Sequence, residues 1–302
     1  MVYFTALLFA RRRNCHTMNA IIILIDLYGN LMLQNLLVIT ALVFYLLATT
    51  ALLTRLFHAD GIDFKRVLLL ASCAQLAHIG FVGMEIFTPT GQDFSLINVI
   101  SLVCLSIALG VTISALKNPS PFLLSVAYGF AAFVQLLTFL SLMFPKHMVM
   151  QHFFSNLPLT SHIALSLLAY CVLMIATLYA VQFRYINNKL KNKDLSVVST
   201  NFPPLMQVEK QQFRLLTIGT AILTLALLSG FIYLDNMFSQ SVAHKTILSM
   251  IAWAIFVGLI LGRRYRGWRG KMTVGWTIGG AFIFTLAYFG SRFVREIVLG
   301  RF

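Results

Sequence analysis

Eight long runs of apolar residues follow one another along the chain, separated by short polar connections. Each run is close to the roughly 20 residues that an α-helix needs to cross a bilayer. None of them alternates apolar and polar positions, as a transmembrane barrel strand would. The pattern therefore predicts an all-α polytopic membrane protein, a bundle of eight transmembrane helices. The predicted segments are 36–57, 67–87, 96–116, 122–144, 159–183, 213–234, 246–262 and 273–292.

Composition supports this class. The chain has 302 residues, of which 59% are hydrophobic and only 11% charged, whereas about a quarter of a soluble domain is charged. The net charge is +14, from 23 Lys and Arg against 9 Asp and Glu. Because the basic residues fall mostly in short connections between apolar segments, we expect the lipid bilayer as partner, and no nucleic acid.

The basic residues also predict an orientation. Of the 23, 15 lie in the connections after segments one, three, five and seven, and five lie on the opposite side. The positive-inside rule therefore places these connections in the cytoplasm and both termini in the periplasm of a bacterial inner (plasma) membrane. The longest connection is 184–212, in which Pro203 and Pro204 are expected to prevent a continuous helix.

The start of the chain departs from this charge pattern, because Arg11, Arg12 and Arg13 precede the first segment. We expect residues 1–17 to be an N-terminal extension from an upstream start, with Met18 as the alternative first residue. A signal-like segment is the other interpretation, but its arginines would precede the apolar stretch. Residues 18–35 are predicted to be an exterior segment, and residues 36–302 the eight-helix membrane domain.

Motifs of soluble enzymes are missing from the sequence. It has no glycine-rich phosphate loop, no dinucleotide-binding fingerprint and no nucleophile elbow. Its four cysteines form no CxxC pair, so neither a thiol relay nor a zinc site is indicated. A hydrolase or kinase of the soluble type is excluded, and any chemistry is expected within the bundle or at its outer rim.

Two histidines and an arginine are the candidate site residues. His78 lies deep in the second segment with Glu85 on the same face, and His162 lies one turn inside the fifth. Neutral imidazole is a strong ligand for haem iron. The alternatives are a His78 hydrogen-bonded to a neighbouring helix and an interfacial His162 without a ligand. Arg292 ends the last segment, where it would either face an anionic group such as a propionate or snorkel beside Glu296.

Four blocks of sequence, in order along the chain, resemble the cytochrome c assembly family, which includes CcsA-like and HemX-like haem-handling membrane proteins. The likeness covers nearly all of the chain from about Leu36. The blocks are Phe94-Ser95-Leu96-Ile97-Asn98 after His78; Ser161-His162-Ile163 with Ser166 and Ala169-Tyr170; Phe202-Pro203-Pro204-Leu205 with Phe213-Arg214, Gly219, Leu223-Thr224 and Ser229-Gly230; and Lys245, Leu248-Ser249 and Ala252-Trp253 with Arg266-Gly267-Trp268-Arg269-Gly270 and Leu286-Ala287-Tyr288-Phe289-Gly290.

The resemblance implies that His162 is the first exterior histidine of the family and His78 its first membrane histidine. The haem-ligating synthases also have a tryptophan-rich exterior loop and partner histidines. This chain has no tryptophan in 234–244, a leucine at Leu261 and no histidine in 292–300. A bis-histidine site of the family type is therefore not expected, and we predict that the protein is not an enzyme.

The sequence thus predicts a protein that binds or handles haem in support of cytochrome c assembly, with haem and cytochrome assembly proteins as partners. His162 and His78 are the candidate ligands of the haem iron, and Arg292 the propionate partner. One alternative is a non-catalytic scaffold or regulator of tetrapyrrole synthesis that acts through its cytoplasmic segment 187–212. Another is an accessory subunit of a transporter, for which the scarcity of intramembrane acids argues, since coupled transport itself usually uses them.

Overall fold

Eight helices, each long and apolar enough to cross a membrane, make up most of the part of the chain that the structure describes. The computed structural model describes residues 16–56, 62–88, 91–144, 150–151, 157–193, 202–233, 243–290 and 293, with the backbone alone for 16–28 and 150–151. The helices are α1 (His16–Arg55), α2 (Phe64–Ile86), α3 (Leu96–Lys117), α4 (Pro121–Ser141), α5 (Leu157–Lys191), α6 (Leu205–Tyr233), α7 (Ala243–Arg266) and α8 (Lys271–Thr285). The all-α prediction and the number of spans are confirmed.

Helix boundaries differ most from the predicted segments at α1, α5 and α6. The α1 helix begins at His16, so residues 18–35, predicted to precede the first helix, are themselves helical. Helix α5 continues past residue 183 to Lys191, and α6 already begins at Leu205, directly after Pro203 and Pro204. Most of the predicted long connection 184–212 is therefore helical, because a helix need not stop where its apolar face does.

The helices pack as two groups of four. In the first half, α1 lies against α2 and α4, and α3 lies against α4. In the second half, α5 and α6 form the most extensive helix pair, and α8 packs against α5 and α7. Contacts of α5 with α3 and α4 join the halves. Small residues allow this close approach: a Cβ on Gly219 of α6 would come within 2.8 Å of the Leu173 side chain on α5.

The two ends of the bundle differ in character. One end, here called the sheet end, contains a small antiparallel sheet of β1 (Phe87–Thr88), β2 (Gly91–Asp93) and β3 (Met150–Gln151), next to the start of α3. The opposite end, here called the basic end, contains the last turns of α5 and α7 and the start of α8, with their lysines and arginines. That the basic end faces the cytoplasm and both termini the periplasm stays a prediction.

Candidate functional site

A cavity of about 300 Å³ lies at the sheet end and connects the two halves of the bundle. Phe94, Val99 and Leu102 reach it from the β2–α3 region of the first half. The other lining residues come from α5, α6, α7 and α8, so the second half supplies most of its wall. These residues are Ile163, Leu167, Leu223, Ala226, Leu227, Thr246, Phe284 and Ala287, together with His162, Ser166, Lys245, Ser249 and Tyr288.

His162 contributes an imidazole ring to this cavity with a defined tautomer. Its Nδ1 atom lies 2.9 Å from the carbonyl oxygen of Ala226 and 3.1 Å from Ser229 Oγ, both on α6. Because a carbonyl oxygen can only accept, Nδ1 carries the proton and donates it. In the neutral ring, Nε2 then keeps its lone pair, and it has no hydrogen-bond partner among the described residues. Such an arrangement orients a histidine for binding a metal.

Aromatic side chains from the end of α8 form part of the wall. After Thr285, the helix continues as a π-helical turn over Leu286–Gly290, a geometry that is frequent at functional sites. Within this turn, Tyr288 lines the cavity and its ring stacks on Tyr170 of α5, with 5.2 Å between the ring centroids. The hydroxyl of Tyr170 pairs with Thr285 Oγ1 at 3.0 Å. The π-turn therefore fixes the aromatic wall against α5.

A cation also lines the cavity. Lys245, in the first turn of α7, contributes to its wall beside Ser249. The polar groups of the cavity are thus an imidazole, an ammonium group and hydroxyls, set among aliphatic and aromatic side chains. Binding sites for small molecules have this makeup, mostly apolar with a few polar groups that fix orientation.

His78 has a different environment. Its side chain is fully buried, and both ring nitrogens are in contact with polar groups of the first half. Nδ1 lies 3.3 Å from the Tyr45 hydroxyl of α1, and Nε2 lies 2.9 Å from Ser101 Oγ of α3. His78 does not line the cavity that contains His162. The structure thus gives His78 the contacts of a packed, hydrogen-bonded residue, and it does not bring the two histidines together as a ligand pair.

Arg292, the third predicted site residue, lies outside the described residues, and its role stays a prediction. Lys245 and Tyr288 are not among the predicted site residues, although both stand in the blocks that resemble the family. A signal for Lys245 existed, since it is one of only five basic residues predicted on the outer side. For Tyr288, the decisive feature is the π-turn, which no sequence pattern considered above predicts.

Comparisons with known proteins agree with this architecture. The family model described as cytochrome C assembly protein matches residues 67–299. The chain is 36% identical over 261 residues to the inner membrane protein YpjD of Escherichia coli (strain K12), across 85% of this chain and 97% of that protein. It is 22% identical over 157 residues to the cytochrome c biogenesis protein CcsA of Prochlorococcus marinus (strain MIT 9515), across 45% of this chain and 50% of that protein.

A further relative is an uncharacterized 28.8 kDa protein of Azospirillum brasilense, 30% identical over 141 residues, across 46% of this chain and 52% of that protein. No solved structure matches the chain. The family model covers most of the sequence, including His78, His162 and every helix of the second half. With its eight apolar helices, the chain belongs to the cytochrome c assembly protein family.

Proposed function

We propose that this protein binds or conveys haem in the bacterial inner membrane, in support of cytochrome c assembly, and that it does so without catalysing a reaction. The observation that carries the proposal is His162, whose Nδ1–H is held by the Ala226 carbonyl while Nε2 keeps its lone pair beside the cavity. In this proposal His162 Nε2 would bind the iron of haem. The relatives named for cytochrome c biogenesis support the choice of pathway.

The other cavity residues suit a flat, largely apolar ligand with anionic edges. Leu223, Leu227 and Phe284 offer apolar surface that a porphyrin ring would cover. Lys245 offers a positive charge for a propionate. Arg292 stays a candidate for the second propionate from the sequence alone. When bound, the haem would supply the iron and its redox and ligand chemistry, while the protein's residues hold and orient it.

Among the described residues, His162 is the only histidine that lines the cavity, so these residues would supply one nitrogen ligand to the iron. His78 is not part of it, since Tyr45 and Ser101 occupy both of its ring nitrogens. A single protein ligand would hold the iron less firmly than a pair of ligands would. That property fits a protein that passes haem on better than one that keeps it for electron transfer.

Absorption spectroscopy tests the proposal directly. Protein purified in mild detergent from haem-replete cells should show a Soret band, and a pyridine haemochrome assay should give near-stoichiometric haem. We expect His162→Ala to lose the band, because the residue that would bind the iron is removed. His244→Ala is the matched control: His244 is an exposed neighbour of Lys245 that does not line the cavity, and its replacement should leave the spectrum unchanged.

A second measurement separates a lost ligand from a damaged fold. In His162→Gly, added imidazole should enter the vacated space and restore the Soret band, as it cannot do in a misfolded protein. A wild-type protein that stays colourless even after haemin is added would refute the haem proposal. A band that survives in His162→Ala but disappears in the His78 variant would refute the assigned ligand.

A further inference from the structure

A second cavity, of about 390 Å³, lies at the basic end between α5 and α8, far along α5 from His162. Arg184, Asn187 and Asn188 face it from the last turns of α5, and Lys271 faces it from the first residue of α8. Its apolar residues are Phe183, Val274 and Gly275. Four of its seven lining residues have a cationic or amide side chain, and the rest of the surface is apolar.

The charges of this cavity are uncompensated within the described part of the chain. Arg184 and Lys271 are both exposed, and neither has an ion pair or hydrogen bond there. No carboxylate is among the lining residues. At the N-terminus of α8, the Glu209 carboxylate of α6 already accepts a hydrogen bond from the Gly270 N–H at 3.3 Å, so the helix dipole adds little to this charge. The positive charge of the cavity therefore comes from two cations, Arg184 and Lys271, on one concave surface.

We propose that this cavity binds the phosphate group of an anionic phospholipid at the membrane surface. The guanidinium of Arg184 can hold two phosphate oxygens, Lys271 adds a point charge, and the amides of Asn187 and Asn188 can donate hydrogen bonds. Phe183 and Val274 offer apolar contact to the glycerol and upper acyl region. Basic pockets between transmembrane helices on the cytoplasmic side bind such headgroups, and the positive-inside rule predicts that side for the basic end.

Native mass spectrometry of the detergent-solubilised protein tests this by counting bound lipids. Phosphatidylglycerol and phosphatidylcholine are each added at equal concentration, and inorganic phosphate is added in a separate titration. We expect one phosphatidylglycerol molecule to stay bound where phosphatidylcholine does not. If millimolar inorganic phosphate displaces it, the cavity recognises phosphate in general, and the ligand is not specifically a lipid.

Two pairs of variants make the test specific. The Gly275→Leu change fills the cavity without altering charge, and a Cβ at this position meets nothing within 4 Å, so the fold should tolerate it. Gly279→Leu, one turn further along α8, is equally open and exposed but outside the cavity. We expect the first variant to lose phosphatidylglycerol and the second to retain it.

The double variant Arg184→Gln/Lys271→Gln tests whether the charge of the cavity is needed. The control is the double variant Lys210→Gln/Arg214→Gln. The control pair removes the same charge from exposed residues of α6 that do not line the cavity. We expect about a tenfold weaker affinity for phosphatidylglycerol in the first double variant and little change in the second. Equal losses in both would overturn the proposal in favour of general surface attraction, and so would equal binding of phosphatidylcholine by the wild type. Haem content should be unaffected throughout.

Discussion

Each half of the bundle contains a histidine inside a membrane helix, but the two histidines have different environments. In the first half, His78 has a polar group against each ring nitrogen and lies in a closely packed interior. In the second half, His162 has a partner among the described residues only at Nδ1, and its ring borders a cavity. A polar group inside a membrane is costly unless it is paired. A structural histidine therefore differs from a candidate ligand in whether its second ring nitrogen has a hydrogen-bond partner.

Other buried polar side chains of the first half are also hydrogen-bonded between helices. Gln75 of α2 donates to Thr112 Oγ1 of α3 at 2.7 Å, and Thr112 also pairs with the Tyr128 hydroxyl of α4 at 2.8 Å. Gln135 of α4 is an exception, since it is fully buried and neither amide atom has a partner among the described residues. Polar pairing thus joins the helices α1, α2, α3 and α4, whereas in the second half some polar groups, His162 and Lys245 among them, line a cavity.

The largest effect is expected from His78→Ala. The change leaves the Tyr45 hydroxyl and Ser101 Oγ without their partner and creates a void, so we expect a loss of about 2 kcal/mol in the free energy of unfolding. Haem content should stay at the wild-type level. Reversible unfolding in mixed detergent micelles measures the first quantity, and the pyridine haemochrome assay the second. Unchanged stability together with lost haem would reverse the roles assigned to the two halves.

A smaller effect is expected from Lys245→Gln. If Lys245 pairs with a propionate, its loss should weaken haem binding roughly fivefold, which corresponds to about 1 kcal/mol. Binding of the uncharged dimethyl ester of haem should not change, because it has no carboxylate to pair. Haem titrations followed at the Soret band compare the two ligands. Lys210→Gln, which changes an exposed lysine at the basic end, serves as the control. Equal weakening for both ligands would rule out the propionate contact.

The smallest effect is expected in a pair of double-mutant cycles, one in each half. The Gln75–Thr112 bond is buried, whereas the bond from Trp253 Nε1 to Thr224 Oγ1, at 2.9 Å, is only partly buried. Cycles of Gln75→Leu with Thr112→Val, and of Trp253→Phe with Thr224→Val, should give coupling energies of about 0.6 kcal/mol or less, with the larger value in the first half. A stronger coupling in the second half would contradict the contrast between the halves.

Much of the fold could be predicted from the sequence, because the length of an apolar run fixes where a helix can cross a bilayer. All eight spans were found in this way. The last turns of α5 and the first turns of α6 were not predicted. Polar residues such as Lys189 and Lys191 are as compatible with a helix that protrudes from the membrane as with a loop. The break at Pro203 and Pro204 was predicted correctly, because proline acts through local geometry that does not depend on the tertiary fold.

The candidate site could be predicted only in part. Histidine at position 162 was selected from residue type, depth and resemblance, but its tautomer depends on the Ala226 carbonyl, which lies on another helix. Residue type, depth and resemblance also predict His78 as a ligand. Only the contacts of His78 with Tyr45 and Ser101 distinguish it from His162. Residue type shows that an imidazole is present, whereas tertiary contacts decide which of its nitrogens remains able to bind a metal.

The π-turn at Leu286–Gly290 has a consequence for how this site can change during evolution. A π-helical turn holds one residue more than an α-helical turn, so deleting one residue there would convert it to a regular helix. Each residue after the deletion would rotate by about 100° around the helix axis. The contacts of α8 before Thr285 would be preserved, but Tyr288 would turn away from the cavity. A single codon gained or lost could thus add or remove the aromatic wall while leaving the rest of the bundle in place.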